Sequence, residues 1–151
     1  MRRVLLPLVL LLGLGASCGV SVLRAQDPRP AGPSNAQIVC ESLVKQQMSA
    51  LNLENPDGVM LVFHPEAPNR LELQRTLVQQ FRLRDLRYKL LSLHFVAEDG
   101  PYAYMRMTQL VDGSHEKQPF KGETEMLLVF RKSTRGWKAW TSVRLRQKKI
   151  S

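Results

Sequence analysis

The first residues that could do chemistry stand together in the stretch VFHPEAP, residues 62–68, where His64 and Glu66 flank a proline. An imidazole and a carboxylate form a general acid–base pair when they lie within hydrogen-bond reach and their pKa values are tuned. Pro65 turns the chain and disfavours helical backbone at His64, so the same stretch also fits a helix end. We therefore predict a helix stop here and keep His64 as a candidate at the rim of a pocket.

A second set of chemically able residues lies later in the chain and comprises His94, Tyr104 and Arg106. All three fall in the middle of two neighbouring predicted strands, on the face where polar and apolar residues mix. An ionisable group in a largely apolar pocket is the usual candidate for a binding or catalytic site. The set therefore predicts pocket residues, with a solvated strand face as the alternative, and no residue can be assigned a catalytic role.

Sequence motifs for common cofactors and metals are absent from the chain. There is no phosphate-binding glycine loop, no H-E-x-x-H, no G-x-S-x-G and no C-x-x-C. The three histidines, His64, His94 and His115, share no spacing typical of metal ligands. We therefore expect neither a metal nor a cofactor.

The candidate residues must be positioned by a helical first half and a strand-rich second half. Apolar residues at helical spacing predict a helix over 36–51 with Cys40 on its buried side, and Asn55-Pro56-Asp57 predicts the start of a short second helix. A third helix is predicted from Glu72 to about Asp85. After Arg87 the period becomes two, which predicts strands at 88–97, 102–112, 120–132 and 137–146. Short connections make such strands antiparallel, so we expect an α+β fold with three N-terminal helices on a curved sheet of about four strands.

Alternation within the predicted strands assigns one face of the sheet to the core. That apolar face comprises Leu91, Leu93, Phe95, Met105, Met107, Trp137, Ala139, Val143 and Leu145. The opposite face is mixed and is expected to line a cavity or to meet a partner.

The order of these elements resembles the nuclear transport factor 2-like superfamily. The resemblance is carried by Phe63-His64-Pro65-Glu66-Ala67, by Tyr102-Ala103-Tyr104-Met105 and by Gly136-Trp137-Lys138-Ala139-Trp140, and it covers about residues 36–145. It implies a cone-shaped α+β barrel with a pocket between the long helix and the bent sheet. The superfamily includes ketosteroid isomerases, polyketide cyclases and many proteins without catalytic activity. The Asp/Tyr pair of its isomerases has no assignable counterpart here, so the resemblance implies the fold and no catalytic residues.

The N-terminal 25 residues have the pattern of an export signal. Arg2 and Arg3 precede an uncharged stretch from Val4 to Leu23, and small residues follow. We predict that residues 1–25 are a cleaved signal peptide, or an uncleaved signal anchor that spans the membrane through residues 4–23; a lipidated Cys18 is a third alternative. Each places the domain outside the cytoplasm, secreted or periplasmic. Residues 26–35 are predicted to be a Pro-rich linker and residues 36–146 the folded domain.

The positive charge of the chain is concentrated at its C-terminus. The formal net charge is +9, and from residue 131 onward the chain has Lys and Arg residues but no Asp or Glu. We predict that residues 147–151 form a basic tail. This basic region either is simply solvated or contacts an anionic membrane surface or envelope polymer. Nucleic acid is not expected as a partner of an extracytoplasmic protein. The candidate contact residues are Lys138, Arg144, Arg146, Lys148 and Lys149.

These observations lead to one leading hypothesis and two alternatives for function. The leading hypothesis is an exported domain that binds a small apolar or amphipathic ligand, or a protein partner, without evident catalytic machinery and as a homodimer through its open sheet face. The first alternative is a small-molecule isomerase, dehydratase or hydrolase that uses His94, Tyr104 and Arg106. The second is a cystatin-like protease inhibitor, because residues 109–113, QLVDG, fit the Q-x-V-x-G pattern of secreted cystatins.

Overall fold

The chain folds as three helices followed by four long strands. The computed structural model describes residues 32–115 and 118–150, and all bounds below refer to that part of the chain. The helices are α1 (Asn35–Asn52), α2 (Pro56–Leu61) and α3 (Arg70–Leu83). The strands are β1 (Arg84–Asp99), β2 (Tyr102–His115), β3 (Gln118–Ser133) and β4 (Gly136–Lys149), paired antiparallel in the order β1-β2-β3-β4. The predicted α+β class, with three helices on a four-stranded antiparallel sheet, is confirmed.

The predicted export signal, residues 1–25, and most of the predicted linker lie outside the described residues. Among the helices that are described, none is long and apolar enough to cross a membrane.

Local signals in the sequence explain where two of the helices begin. The Ser34 side chain accepts a hydrogen bond of 3.1 Å from the Gln37 amide at the start of α1. At the start of α2 the Asn55 side chain accepts one of 2.9 Å from the Gly58 amide, and Pro56 takes the first helical position. The short second helix predicted from Asn55-Pro56-Asp57 is therefore confirmed, and it ends at Leu61, before VFHPEAP continues the chain.

The hydrophobic core lies between α1 and one face of the sheet. We call this the inner face; the opposite side of the sheet is the outer face. On α1 the buried stripe includes Cys40, Val44, Met48 and Leu51, as the helical spacing predicts. The sheet contributes buried residues from β2, β3 and β4: Ala103, Met105, Met107, Leu128, Phe130, Trp137 and Ala139.

Bulges change which face several strand residues occupy. The β1–β2 register shifts between Leu90 and Ser92, which leaves Leu91 as an extra residue and 45% exposed. One inserted residue reverses the alternation beyond it, so Leu90 before the bulge and Leu93 after it both pack on the core. Similar shifts occur in β4 around Trp140 and Leu145, and Val143 between them is 51% exposed. The assignment of Leu91, Val143 and Leu145 to the core was therefore wrong.

The strands are also longer than the sequence predicted. β1 begins directly after α3 at Arg84, so Asp85 lies in a strand and does not end a helix. At the other end, β4 continues to Lys149, where it pairs with Gly122 of β3. Residues 147–149 therefore belong to the sheet, and the boundary predicted at residue 146 falls inside a strand.

Candidate functional site

A cavity of about 720 Å³ opens between α1, α3 and the inner face of the sheet. Its walls combine apolar and polar residues and come from both helices, from the segment after α2 and from all four strands. The apolar lining includes Leu51, Phe63, Leu73, Leu86, Val111, Phe120, Met126 and Trp140. The polar lining includes Gln47, Gln80, Tyr88, Gln109, Thr124, Ser142 and Gln147, and the charged residues are Glu72, Arg84 and Arg144. A concave site of this size, with an apolar surface and polar groups that can orient a ligand, is a candidate small-molecule site.

A second groove, of about 580 Å³, follows the outward side of α3 and is lined only by residues 71–83. Because a single helix lines it, it cannot enclose a ligand on several sides as the cavity between helices and sheet does. We therefore take the cavity on the inner face as the candidate site.

Tyr88 is held on the cavity wall by the end of α1. The Asn52 side chain donates a hydrogen bond of 2.8 Å to the Tyr88 carbonyl and accepts one of 2.7 Å from the Tyr88 amide. These bonds satisfy both backbone groups of Tyr88 on the side of β1 that faces no other strand. Burial raises the pKa of the Tyr88 phenol above its ordinary value, and nearby Arg84 opposes this to a lesser degree. The phenol is therefore a neutral hydrogen-bonding group at physiological pH.

Trp140 forms another part of the wall and is contacted from two directions outside the cavity. The Arg131 guanidinium lies 4.5 Å from the centre of its ring, within range for a cation–π interaction. The His64 ring meets it edge to face with 5.3 Å between ring centres. Adjacent residues of a strand normally point to opposite faces, and Ala139 points to the core. Trp140 can nevertheless face the cavity, on the same side of the sheet, because it is the extra residue of a bulge.

His64 has a structural position and does not line the cavity. The residue is only 6% exposed, and its Nδ1 accepts a hydrogen bond of 3.1 Å from the Glu66 backbone amide. The His64 amide donates to the Ala139 carbonyl and the Ala139 amide to the Val62 carbonyl, which joins this segment to β4 beside Phe63. The Glu66 carboxylate turns instead to Arg131, at 3.4 Å. His64 and Glu66 are therefore not an acid–base pair, and the predicted helix stop is confirmed.

The set His94, Tyr104 and Arg106 lies on the outer face of the sheet, away from the cavity. His94 is directly opposite Arg106 across β1 and β2, and both are exposed. Arg106 forms an ion pair with Glu125 of β3. Their neighbours Met105 and Met107 point to the core, so strict alternation along β2 directs Tyr104 and Arg106 outward. The expectation that these three residues line the pocket is therefore not met.

The five basic candidates do not form one surface patch. The Lys138 ammonium donates a hydrogen bond of 2.7 Å to the Leu61 carbonyl at the end of α2. Arg144 lines the cavity. Arg146 and Lys148 lie opposite Glu125 and Glu123 in the β3–β4 ladder, and Lys149 lies opposite Gly122. The candidates therefore have different surroundings, and acidic residues face two of them.

The QLVDG stretch lies inside β2 and is paired on both sides. Gln109 is opposite Leu90 and Thr124, and Gly113 is opposite Leu86 and Phe120. Gln109 is buried and Val111 lines the cavity. A protease-inhibiting loop must be exposed to enter an active site, so this stretch does not support cystatin-like inhibition.

Sequence reasoning missed Tyr88 and Gln109 as cavity residues. No pattern in the sequence singles out Tyr88. The bulge at Leu91, which brings this side of β1 to the helices, has no sequence signature. Gln109 was interpreted only as part of the cystatin-like pattern. One signal was present: Gln109 is a polar residue in line with Met105 and Met107, on the apolar face of its strand. Among the described residues, no cluster of His, Cys, Asp and Glu could hold a metal ion.

Comparison with known proteins identifies the family. Residues 42–149 match the family model described as anti-sigma-I factor RsgI9, C-terminal domain. The chain belongs to this RsgI9 C-terminal domain family. No curated protein sequence matches the chain.

Solved structures show the wider fold to which this RsgI9-type domain is similar. A ketosteroid isomerase-like protein from Erwinia carotovora atroseptica has a TM-score of 0.61 and 18% identity, with 78% of this chain and 98% of that chain covered. A protein of the nuclear transport factor 2-like family from Streptomyces avermitilis has a TM-score of 0.62 and 13% identity, with the same two coverages of 78% and 98%. A Caulobacter vibrioides protein with a cystatin-like fold has a TM-score of 0.64 and 9% identity, with 78% and 92% covered. The fold is that of the nuclear transport factor 2-like superfamily.

Proposed function

We propose that this chain is an exported binding domain whose cavity takes a small amphipathic ligand. The observation that carries the proposal is the cavity of about 720 Å³ between the helices and the inner face of the sheet. This volume falls within the range of roughly 300–1,000 Å³ typical of small-molecule sites. Its lining has both apolar and polar residues, which suits an amphipathic ligand. Export is supported by the pattern of residues 1–25.

The chemistry of the cavity lining supports binding without turnover. Among the described residues that line the cavity there is no histidine, and Glu72 is its one carboxylate, on an exposed part of α3. General acid–base catalysis needs groups of different proton affinity that converge on one substrate atom. Tyr88 keeps its proton because burial raises its pKa, so it would orient a ligand by hydrogen bonding. The residues of the enzyme alternative, His94, Tyr104 and Arg106, lie on the outer face.

The proposal is tested with the neutral fluorophore phenylnaphthylamine, whose emission rises in apolar sites. We expect saturable binding to the purified protein, together with a change in tryptophan emission because Trp140 lines the cavity. Thr76→Trp adds a large ring to an exposed cavity residue of α3 and should abolish this binding. Thr134→Trp adds the same ring at the exposed turn before β4 and should leave binding unchanged. Equal binding by both variants would place the ligand elsewhere and reject the proposal.

A further inference from the structure

Gln109 is a largely buried residue that presents its side-chain amide to the cavity. The residue is 9% exposed, lies in the middle of β2 and lines the cavity. No hydrogen bond within the described part of the chain involves its side chain. The amide atoms are not among the buried side-chain atoms of the described residues that lack a partner, so they reach the open space of the cavity. A ligand group that donates to or accepts from this amide can therefore replace the water that it would otherwise bind.

The amide begins a polar row that crosses the cavity floor. Gln109 of β2 is directly opposite Thr124 of β3, and Thr124 is directly opposite Gln147 of β4. All three residues line the cavity, as does Arg144, whose Nη1 donates a hydrogen bond of 2.9 Å to the Gln147 Oε1. Apolar side chains, among them Met126, occupy neighbouring positions of the same face. The row therefore runs from a neutral amide to a guanidinium that a neutral partner holds in place.

Burial decreases steadily along this row. Gln109 is buried, Thr124 is half-buried, and Gln147 and Arg144 are exposed. A charged ligand group at the Gln109 end would be desolvated beside a neutral amide, which is strongly unfavourable. At the Arg144 end the guanidinium keeps free N–H groups that can bind a carboxylate with two parallel hydrogen bonds. The row therefore favours a neutral group deep in the cavity and a negative group at its mouth.

The strand spacing gives the distance between the two ligand groups. Gln109 and Gln147 are two strands apart, which corresponds to roughly 10 Å between their backbones. We infer that the cavity takes an amphipathic carboxylic acid that carries a hydroxyl or carbonyl group at its other end. The neutral group binds Gln109, the apolar body lies against the aromatic and aliphatic walls, and the carboxylate binds Arg144. This inference rests on the proposed function, since it specifies the ligand of the same cavity.

The first experiment varies the ligand and uses the wild-type protein. Three probes share one apolar body: para-hydroxyphenylpropionate, phenylpropionate, which lacks the hydroxyl, and the methyl ester of the first, which lacks the charge. Calorimetry should show that loss of the hydroxyl weakens binding roughly five- to tenfold and that loss of the charge weakens it roughly tenfold or more. Equal affinity for all three probes would overturn the inference.

The second experiment assigns each ligand group to its residue. In Gln109→Met, which keeps the side-chain length, the hydroxylated acid should bind as weakly as phenylpropionate does to the wild type, and phenylpropionate should be unaffected. In Arg144→Gln the acid and its ester should bind equally. The matched controls are Arg84→Gln, another cavity arginine, and Arg146→Gln, which lies two residues further along β4 and outside the cavity lining. A loss of acid selectivity in Arg84→Gln but not in Arg144→Gln would overturn the arrangement.

The fluorophore separates a wrong ligand class from a wrong site. If phenylnaphthylamine binds and the acids do not displace it, the ligand class is wrong and the proposed binding function stands. If phenylnaphthylamine also fails to bind, both proposals fail. Urea unfolding of Gln109→Met shows whether the variant is folded; if it is not, the wild-type probe series still decides the inference.

Discussion

The Asn52 side chain joins the end of α1 to the backbone of Tyr88 with two hydrogen bonds, of 2.8 and 2.7 Å. This relationship fixes the long helix relative to β1 and holds a cavity residue in place. We predict that Asn52→Ala lowers the free energy of unfolding by about 1–2 kcal/mol, since two net hydrogen bonds are lost. Urea unfolding followed by circular dichroism measures the change. The control is Gln46→Ala, also on α1, whose amide bonds only to Ser42 within the helix; equal losses in both variants would argue against the role of Asn52.

Gly113 is required by its conformation and by its neighbour. Its φ is +154°, and a Cβ at this position would overlap the Asp85 carbonyl oxygen of the paired strand. We expect Gly113→Ala to destabilise the protein by at least about 2 kcal/mol, because the two backbones would have to separate. Gly100→Ala is the matched control: φ is +55° there, but nothing lies near the added carbon, so the cost should be about 1 kcal/mol. Thermal unfolding of both variants checks the order, and the reverse order would contradict the overlap.

Ionisation of the Cys40 thiol is expected to make the stability of the protein depend on pH in the alkaline range. Burial, and to a smaller degree the Glu98 carboxylate, raise its pKa from 9.0 to about 12. Because folding raises this pKa, the unfolded chain loses the proton first, so the free energy of unfolding falls as the pH rises from about 9 to about 12. Cys40→Ala should remove this part of the pH dependence. Urea unfolding at several pH values under reducing conditions measures it; identical slopes for the wild type and Cys40→Ala would contradict the prediction.

The outer-face set can be separated from the cavity by mutation. We expect the double variant His94→Phe with Tyr104→Phe to bind phenylnaphthylamine within about twofold of the wild type, because neither side chain reaches the cavity. Trp140→Leu, which removes part of the cavity wall, should weaken the same binding roughly fivefold or more. If the folded double variant no longer binds phenylnaphthylamine, or loses an enzymatic activity that the wild type has, the functional site lies on the outer face.

The last residues of β4 are part of the sheet and should contribute to stability. Truncation after Leu145 removes the partners of residues 122–125 in the β3–β4 ladder. We predict a loss of about 2 kcal/mol or more in the free energy of unfolding, because several ladder hydrogen bonds are lost. Lys148→Gln with Lys149→Gln keeps the backbone and should change stability by less than about 0.5 kcal/mol. A truncated protein as stable as this control would show that residues 146–149 act as a tail.

The sequence predicted the order and type of the elements because their signals are local. Asn55 and Pro56 mark a helix start by their own chemistry, and Cys40, Val44 and Met48 show the helical period within one segment. The resemblance then implied the correct fold, since FHPEA and GWKAW stand in the right order. These two stretches prove to be neighbours, joined by the hydrogen bond that the His64 amide donates to the Ala139 carbonyl.

The site could not be predicted because it depends on register. Leu91, Trp140 and Leu145 are extra residues only in relation to the strand beside them, and one sequence does not contain that relation. Each bulge moves later side chains to the other face, which is why Val143 is exposed and Arg144 reaches the cavity. His94 and Tyr104 were predicted to line a pocket because their side chains could do chemistry. The face on which they lie had been assigned to the pocket from strand alternation alone.

The outer edge of β4 affects whether the sheets of two chains can pair edge to edge. Phe63 bridges to Ala139, but beyond that bridge no described residue pairs with this edge of β4. An unpaired edge can add a strand from a second chain and begin edge-to-edge aggregation. Here the open stretch carries Arg144, Arg146, Lys148 and Lys149, so two such edges would meet with like charges close together. We therefore expect the positive charge of this stretch to oppose edge-to-edge pairing between two copies of the chain.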